Sequence, residues 1–262
     1  MEILNWNIDQ LERWFLMLFR ISSMLMVFPL YGYSSFPTMA RLVLAFFLAS
    51  LLLPVYGPSA AITAGPGVLY FFGIVIREVL VGLAIGFSAQ LLFVGVQFAG
   101  HVIGHTMGFA MMNVIDPQSE TNIPLIGQLL QLLALLIFIL MNGHHFLLLA
   151  LDESFIQIPV GTGLLAGRGI EGIARLSSDI FVVGVKIGAP VLVAVLVTEA
   201  GLGVIARTVS QINVWLIGFP LKIGIGLITM AFSLPMIVYV FGKLYADWQG
   251  SLIDFIRAMA TG

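Results

Sequence analysis

Residues 68–99 run for 32 positions without a proline and with only two charges, Arg77 and Glu78. As one helix this stretch would measure about 48 Å at 1.5 Å per residue, well beyond a hydrocarbon core of about 30 Å. It must tilt strongly, break at Gly82 or Gly95, or project out of the bilayer. That bilayer belongs in the argument at all because 60 % of the 262 residues are hydrophobic and only 9 % charged, where soluble chains carry about a quarter. The mean hydropathy is +1.09. Composition of this kind points to an integral membrane protein or a part buried in a membrane-associated assembly.

Other apolar arms follow the same logic. Residues 14–30 end at Pro29 and the turn-like Tyr31-Gly32-Tyr33-Ser34-Ser35. Residues 39–56 end at Pro54, with Gly57-Pro58 and Gly65-Pro66-Gly67 as turn punctuation. Residues 123–141 form the cleanest bilayer-length run, closed by Asn142-Gly143-His144-His145, and a shorter run covers 146–151. Residues 157–178 read as a less apolar connection, and 180–197 and 214–245 complete the set. The tail 247–262 has the spacing of an amphipathic helix. Pro190, Pro220 and Pro235 fall inside these arms and predict kinks or breaks. Period-two strand patterns are lacking, so the chain reads as all-helical. Lys and Arg are too thinly spread for the positive-inside rule to orient it, and five to seven spans fit the hydropathy. The acidic start, with Glu2, Asp9 and Glu12, argues against a cleaved secretory signal.

Several chemistries find no residues to carry them. A net charge of −2 gives no basic patch for nucleic acid. Absent cysteine removes disulfides, thiolate metal sites and a thiol nucleophile. His101 and His105 share the four-residue spacing of a zinc pair, but the HExxH pattern is missing and no carboxylate is near in sequence. There is no GxSxG and no phosphate-cradling loop. The sequence thus predicts no cofactor, no metal and no enzymatic activity.

Residues 100–124, GHVIGHTMGFAMMNVIDPQSETNIP, form a polar insert between apolar arms. Gly100, Gly104 and Gly108 recur every four residues and on a helix would make one closely approachable ridge. Phe109-Ala110-Met111-Met112-Asn113 is small and sulfur-rich, and Asp116-Pro117 breaks any helix. Methionine re-packs at low cost, so such a loop can seal an opening and still yield. A plain connection between two helices fits the same residues. Gly82–Gly86, Gly163–Gly167 and Gly184–Gly188 repeat the close-packing spacing.

Charges within or beside the apolar arms, Arg20, Arg41, Arg77, Glu78, Lys186, Glu199 and Lys222, are costly in lipid and so face protein or water. Arg77 and Glu78 point about 100° apart on a helix and need partners from another helix or subunit. Inter-helix pairing in an assembly is the favoured reading; a proton relay through Glu78 or Glu199 is the rival.

Four stretches together resemble a known family: GFAMMNVIDPQ at 108–118, the apolar helix closed by MNGHH at 141–145, TEAGLGVIAR at 198–207 and SQINVWLIGFPLKIGIGL at 210–227. On these the chain is similar to the FliR family of the flagellar type III secretion export gate. The resemblance implies a multi-helix, membrane-associated export-gate subunit. Its part over about 1–178 would be FliP-like and its part over about 179–262 a FliQ-like helical hairpin. It implies assembly with FliP and FliQ into a channel core for unfolded flagellar subunits, with FlhB and FlhA as further partners. That core would sit at the bacterial inner membrane in the flagellar basal body, in contact with lipid but raised in part toward the periplasm. The loop Gly108, Phe109, Ala110, Met111, Met112, Asn113, Val114, Ile115, Asp116, Pro117 would be its pore plug. Arg77, Glu78, Lys186, Glu199 and Lys222 would make subunit contacts. The alternative from another class is a proton- or ion-coupled secondary transporter.

Overall fold

A computed structural model describes residues 8–28, 37–56, 68–109, 125–162, 167–208 and 214–260. Among these the chain is all-helical: α1 (Ile8–Val27), α2 (Thr38–Leu52), α3 (Val68–Met107), α4 (Leu125–Leu140), α5 (Gly143–Gln157), α6 (Gly167–Thr208) and α7 (Val214–Ala260). They form two compact units interleaved along the sequence. The first takes Met1–Leu91, Asn142–Ser177 and Asp247–Gly262, the second Leu92–Met141 and Ser178–Ala246.

In the first unit α1 buries a stripe at helical spacing, Trp14, Met17, Ile21 and Met24, continued by Phe28 just past its end. Trp14 donates its indole N–H to Ser50 Oγ at 3.1 Å and sets its ring edge-on to Phe46 of α2, 5.0 Å between centroids. The α1–α3 crossing is closer still. A side-chain carbon on Gly82 would lie 2.1 Å from the Arg20 carbonyl oxygen, and one on Gly86 2.6 Å from that of Met24. In lipid, close packing rather than escape from water holds helices together, and glycine supplies it. The tail expected to be amphipathic is the end of α7 rather than a separate helix. Trp248, Leu252, Phe255, Ile256 and Met259 are buried, and the Trp248 indole donates to the Ser88 carbonyl at 3.1 Å.

The second unit holds a cluster of edge-on and tilted aromatic rings. Phe93 meets Phe138 at 5.4 Å and Phe241 at 6.2 Å, and Phe138 meets Tyr245 at 5.5 Å. α4 approaches α3 where a carbon on Gly100 would sit 2.4 Å from Gly127 Cα. Leu202 of α6 lies against Gly218 of α7, and Glu199 against Lys222. Stepping back three residues in one helix moves forward four in the other, so the two run antiparallel as a hairpin.

Several expectations change. The long arm neither breaks at Gly82 nor at Gly95; α3 is unbroken for 40 residues, about 60 Å. α6 starts at Gly167, inside the stretch read as a connection, since no proline stands between Pro159 and Pro190. Pro190 lies within unbroken α6, and Pro220 and Pro235 within unbroken α7. Each proline forfeits one backbone bond, which long helices supported by neighbours tolerate. The only break near MNGHH is Asn142, at φ 57; His144 and His145 already belong to α5. Among the described residues three helices are long and apolar enough to cross a membrane, α3, α6 and α7, or four if α4 and α5 act together. That is fewer than five to seven. α2 has only 15 residues, and α1 carries Asp9, Glu12, Arg13 and Arg20.

Candidate functional site

Where the apolar helices bury charge, the first unit pairs it within the chain, although Arg20 Nη2 is buried without a hydrogen-bond partner. Arg20 of α1 and Glu78 of α3 are both wholly buried, with Nε 2.6 Å from Oε2. Arg20 Nη1 also donates to the carbonyls of Ser154 and Ile158, each at 3.0 Å. Ser154 lies in the last turn of α5, its carbonyl also accepting the Ile158 amide at 3.0 Å, and Ile158 is the C-cap, whose carbonyl extends past the helix's own ladder. A cation there also faces the negative end of the helix dipole. The guanidinium lies over the Phe155 ring, 4.6 Å from its centroid. Glu78 Oε1 accepts the Gly161 backbone N–H at 2.8 Å, and Gly161 holds φ 90, which glycine adopts without penalty. One pair thus neutralises itself, caps α5 and pins the turn that follows. Arg20 was visible as a charge in an apolar arm but nothing in its own segment marks it as the partner of Glu78, 58 residues on. Arg77, the neighbour of Glu78, is exposed, as the 100° offset requires.

Beside this pair Tyr56, in the turn after α2, donates its hydroxyl to the Asp152 carboxylate. Burial first, then that hydrogen bond and the charges of Asp152 and Glu153, hold the phenol far above its ordinary range. It stays protonated at any ordinary pH.

The second unit holds its charges differently. Lys222 Nζ donates to Glu199 Oε1 at 2.7 Å, but the Glu199 side chain is 60 % exposed and that of Lys222 15 %. Lys186 of α6 is exposed. Exposure of these three charges refers to the single chain.

At the end of α3 the structure shows the root of the glycine-rich loop. Gly100 and Gly104 face α4 at Gly127 and Ile126. Gly108 does not continue the helix. It turns at φ 93, its N–H donating to the His105 carbonyl at 3.1 Å. A side chain on Gly108 would meet the Phe219 ring at 2.6 Å, and Met107, fully buried, lies against Gly226 of α7. Phe109 is half-buried. Ala110, Met111, Met112, Asn113, Val114, Ile115, Asp116 and Pro117 lie outside the described residues. His101, at the same helix end, turns its Nδ1 back to the Gln97 carbonyl at 2.9 Å. Among the described residues no three His, Asp or Glu side chains are grouped to hold a metal ion.

Chemically these sites hold helices and turn a chain; none lines up a nucleophile with a base. Comparison with known proteins gives the context. The model of the bacterial export proteins, family 1, matches residues 11–248. The flagellar biosynthetic protein FliR of Bacillus subtilis (strain 168) is 34 % identical over 249 residues, 93 % of this chain and 94 % of that one. Its namesake in Aquifex aeolicus (strain VF5) is 32 % identical over 93 % of both chains. The one in Escherichia coli (strain K12) is 29 % identical over 95 % of this chain and 94 % of its own.

Proposed function

Because the chain belongs to family 1 of the bacterial export proteins, the family of FliR, we propose that it is a component of the flagellar type III protein export gate. It forms, with FliP and FliQ homologues, the helical channel core through which unfolded flagellar subunits leave the cell. FlhB and FlhA homologues complete the apparatus around it. Its residues 1–178 take the part of a FliP-like subunit and 179–262 that of a FliQ-like hairpin. The core sits at the inner membrane in the flagellar basal body, raised in part toward the periplasm. The observation that carries this reading is similarity along nearly the whole of both chains to relatives named flagellar biosynthetic protein FliR.

Closure falls to the loop from Gly108 to Pro117. Its root is fixed, with Gly108 turned against Phe219 and Met107 buried at Gly226, which supports a tethered seal. Met111 and Met112 supply displaceable packing. Arg77, Lys186, Glu199 and Lys222 serve subunit contacts, whereas Glu78, read from the sequence as another such contact, pairs with Arg20 within its own unit. Ion conductance of cells carrying the whole export core tests the loop. Deleting residues 110–115 should open a leak while the core still assembles. Unchanged conductance in an assembled core would return the loop to a plain connection and put the seal in a partner.

A further inference from the structure

The chain leaves α3 at Gly108, and glycine by itself cannot set the direction. It populates left- and right-handed backbone about equally, so its φ of 93 is chosen by its surroundings. The Gly108 N–H donates to the His105 carbonyl at 3.1 Å. The Thr106 hydroxyl shares its proton between the Val102 and Ile103 carbonyls, at 3.1 and 2.9 Å, and closes the last turn on itself. Beyond these bonds, the Phe219 ring of α7 fills the space a side chain would need. A Cβ on Gly108 would lie 2.6 Å from its Cδ1 and 2.9 Å from its Cε1. Residue 108 must therefore be glycine for two separate reasons, its φ and its space, and the second is the work of Phe219.

Met107 is a second hold. It is fully buried, and its Cε, Cγ and Sδ crowd the place of a side chain on Gly226 at 2.6, 2.8 and 2.9 Å. Phe219 and Gly226 are two turns apart on one face of α7. Successive residues of α3 thus meet a single stripe, all within the second unit. The two holds differ in kind. Met107 is unbranched and re-packs at low cost, whereas the ring of Phe219 is planar and keeps its shape. Phe219 is only half-buried, and it precedes Pro220, which brings no amide to the carbonyl four residues back. The turn that carries the ring is thus one backbone bond short.

We propose that Phe219 is a positioning residue for export: by denying residue 108 any other course, it aims the chain that follows α3 and so keeps the channel closed at rest. The inference rests on reading the loop from Gly108 as the seal, and it names the residue of α7 that fixes where that seal begins.

The test is resting ion conductance of cells carrying all export components, read together with recovery of the purified core. Phe219→Ala should leave recovery as it is and raise conductance about tenfold, since the lost ring contact belongs to the closed state alone. Phe219→Tyr keeps the ring and should stay tight, and Phe219→Leu, which keeps part of the bulk, should fall between. A ring that serves only the fold would instead lower recovery and leave the conductance of whatever assembles unchanged. Should Phe219→Ala fail to accumulate, Phe219→Leu is read in its place. Unchanged conductance in the assembled variant that is read, or a leak from Phe219→Tyr as large as from that variant, would overturn the proposal. Deleting residues 110–115 separates the two layers. An assembled deletion that does not leak sinks the seal itself, while a leaking deletion beside a tight Phe219→Ala sinks only the role of Phe219.

Discussion

Glu78 in the first unit and Glu199 in the second are both carboxylates set into long apolar helices, each bonded to a basic side chain at less than 3 Å. Glu78 spends both oxygens inside the chain, on Arg20 and on the Gly161 amide, and is wholly buried. Glu199 spends one and leaves the rest 60 % exposed. The glycines beside them differ in the same way. Gly82, one turn beyond Glu78, is pressed against the α1 backbone, while Gly203, one turn beyond Glu199, faces open space. A closed node holds a fold together. An open one leaves acceptor capacity facing outward. The lesson is that an acid in an apolar helix cannot be assigned from sequence until the use of both its oxygens is known.

Breaking the closed node should give the largest effect. Arg20→Ala strands the Glu78 carboxylate and uncaps α5; losing one partner of a buried pair costs about 3–5 kcal/mol. The purified chain should lose most of its cooperative thermal unfolding, and cells should hold little of it. Replacing both partners by apolar residues, Arg20→Met with Glu78→Leu, should cost clearly less, because no charge is left unpaired. A double variant as unstable as Arg20→Ala would mean that the bonds to Ser154 and Ile158, not the ion pair, dominate the node.

Next come the glycines. Gly82→Ala places a carbon 2.1 Å from a backbone oxygen that cannot swing away, and overpacking of this kind costs about 3 kcal/mol. Gly203→Ala adds a carbon where nothing lies within 4 Å and should leave the melting of the isolated chain unchanged. Equal losses from the two would erase the contrast between packed and open faces. Gly108→Ala falls between them. Its φ of 93 alone costs a non-glycine residue about 1–2 kcal/mol, and the Phe219 ring stands in the way. Phe219→Leu should recover the steric part and leave the backbone part.

Much of this contrast could be read from residue spacing, and some could not. Helical class, the close-packing glycines and the apolar stripe of the tail all follow from periodicity, which is local. Gly82 and Gly100 were legible as contacts because only a small residue at four-residue spacing serves that purpose. The partner of Glu78 was not, since Arg20 is 58 residues away and no local rule links them. Proline predicts a kink or a break, and α6 and α7 are without the break: the cost is fixed locally, while the support that keeps them continuous past Pro190, Pro220 and Pro235 is tertiary. Among the described residues the candidate spans number three or four because α1 carries four charges and α2 is short. Of the plug residues, Gly108 and Phe109 are placed, and their neighbours through Pro117 stand on resemblance.

The smallest expected effect tests whether the closed unit owes anything to a group outside its buried pair. Tyr56 ties the end of α2 to Asp152 of α5, and its phenol is held far above the ordinary value by burial and by that carboxylate. The folded chain therefore keeps a proton that the unfolded chain gives up near pH 10. The stabilisation is fully present below that pH and drains away as pH rises further. Tyr56→Phe removes the bond at neutral pH for a loss of about 1 kcal/mol, partly offset by solvent at this half-open site. Thermal melts of the two purified chains should lie a few degrees apart at pH 7 and converge above pH 10. Curves that stay parallel across that range would place the contribution of Tyr56 in its ring, which packs on Phe155 at 5.3 Å between centroids, and not in its hydroxyl.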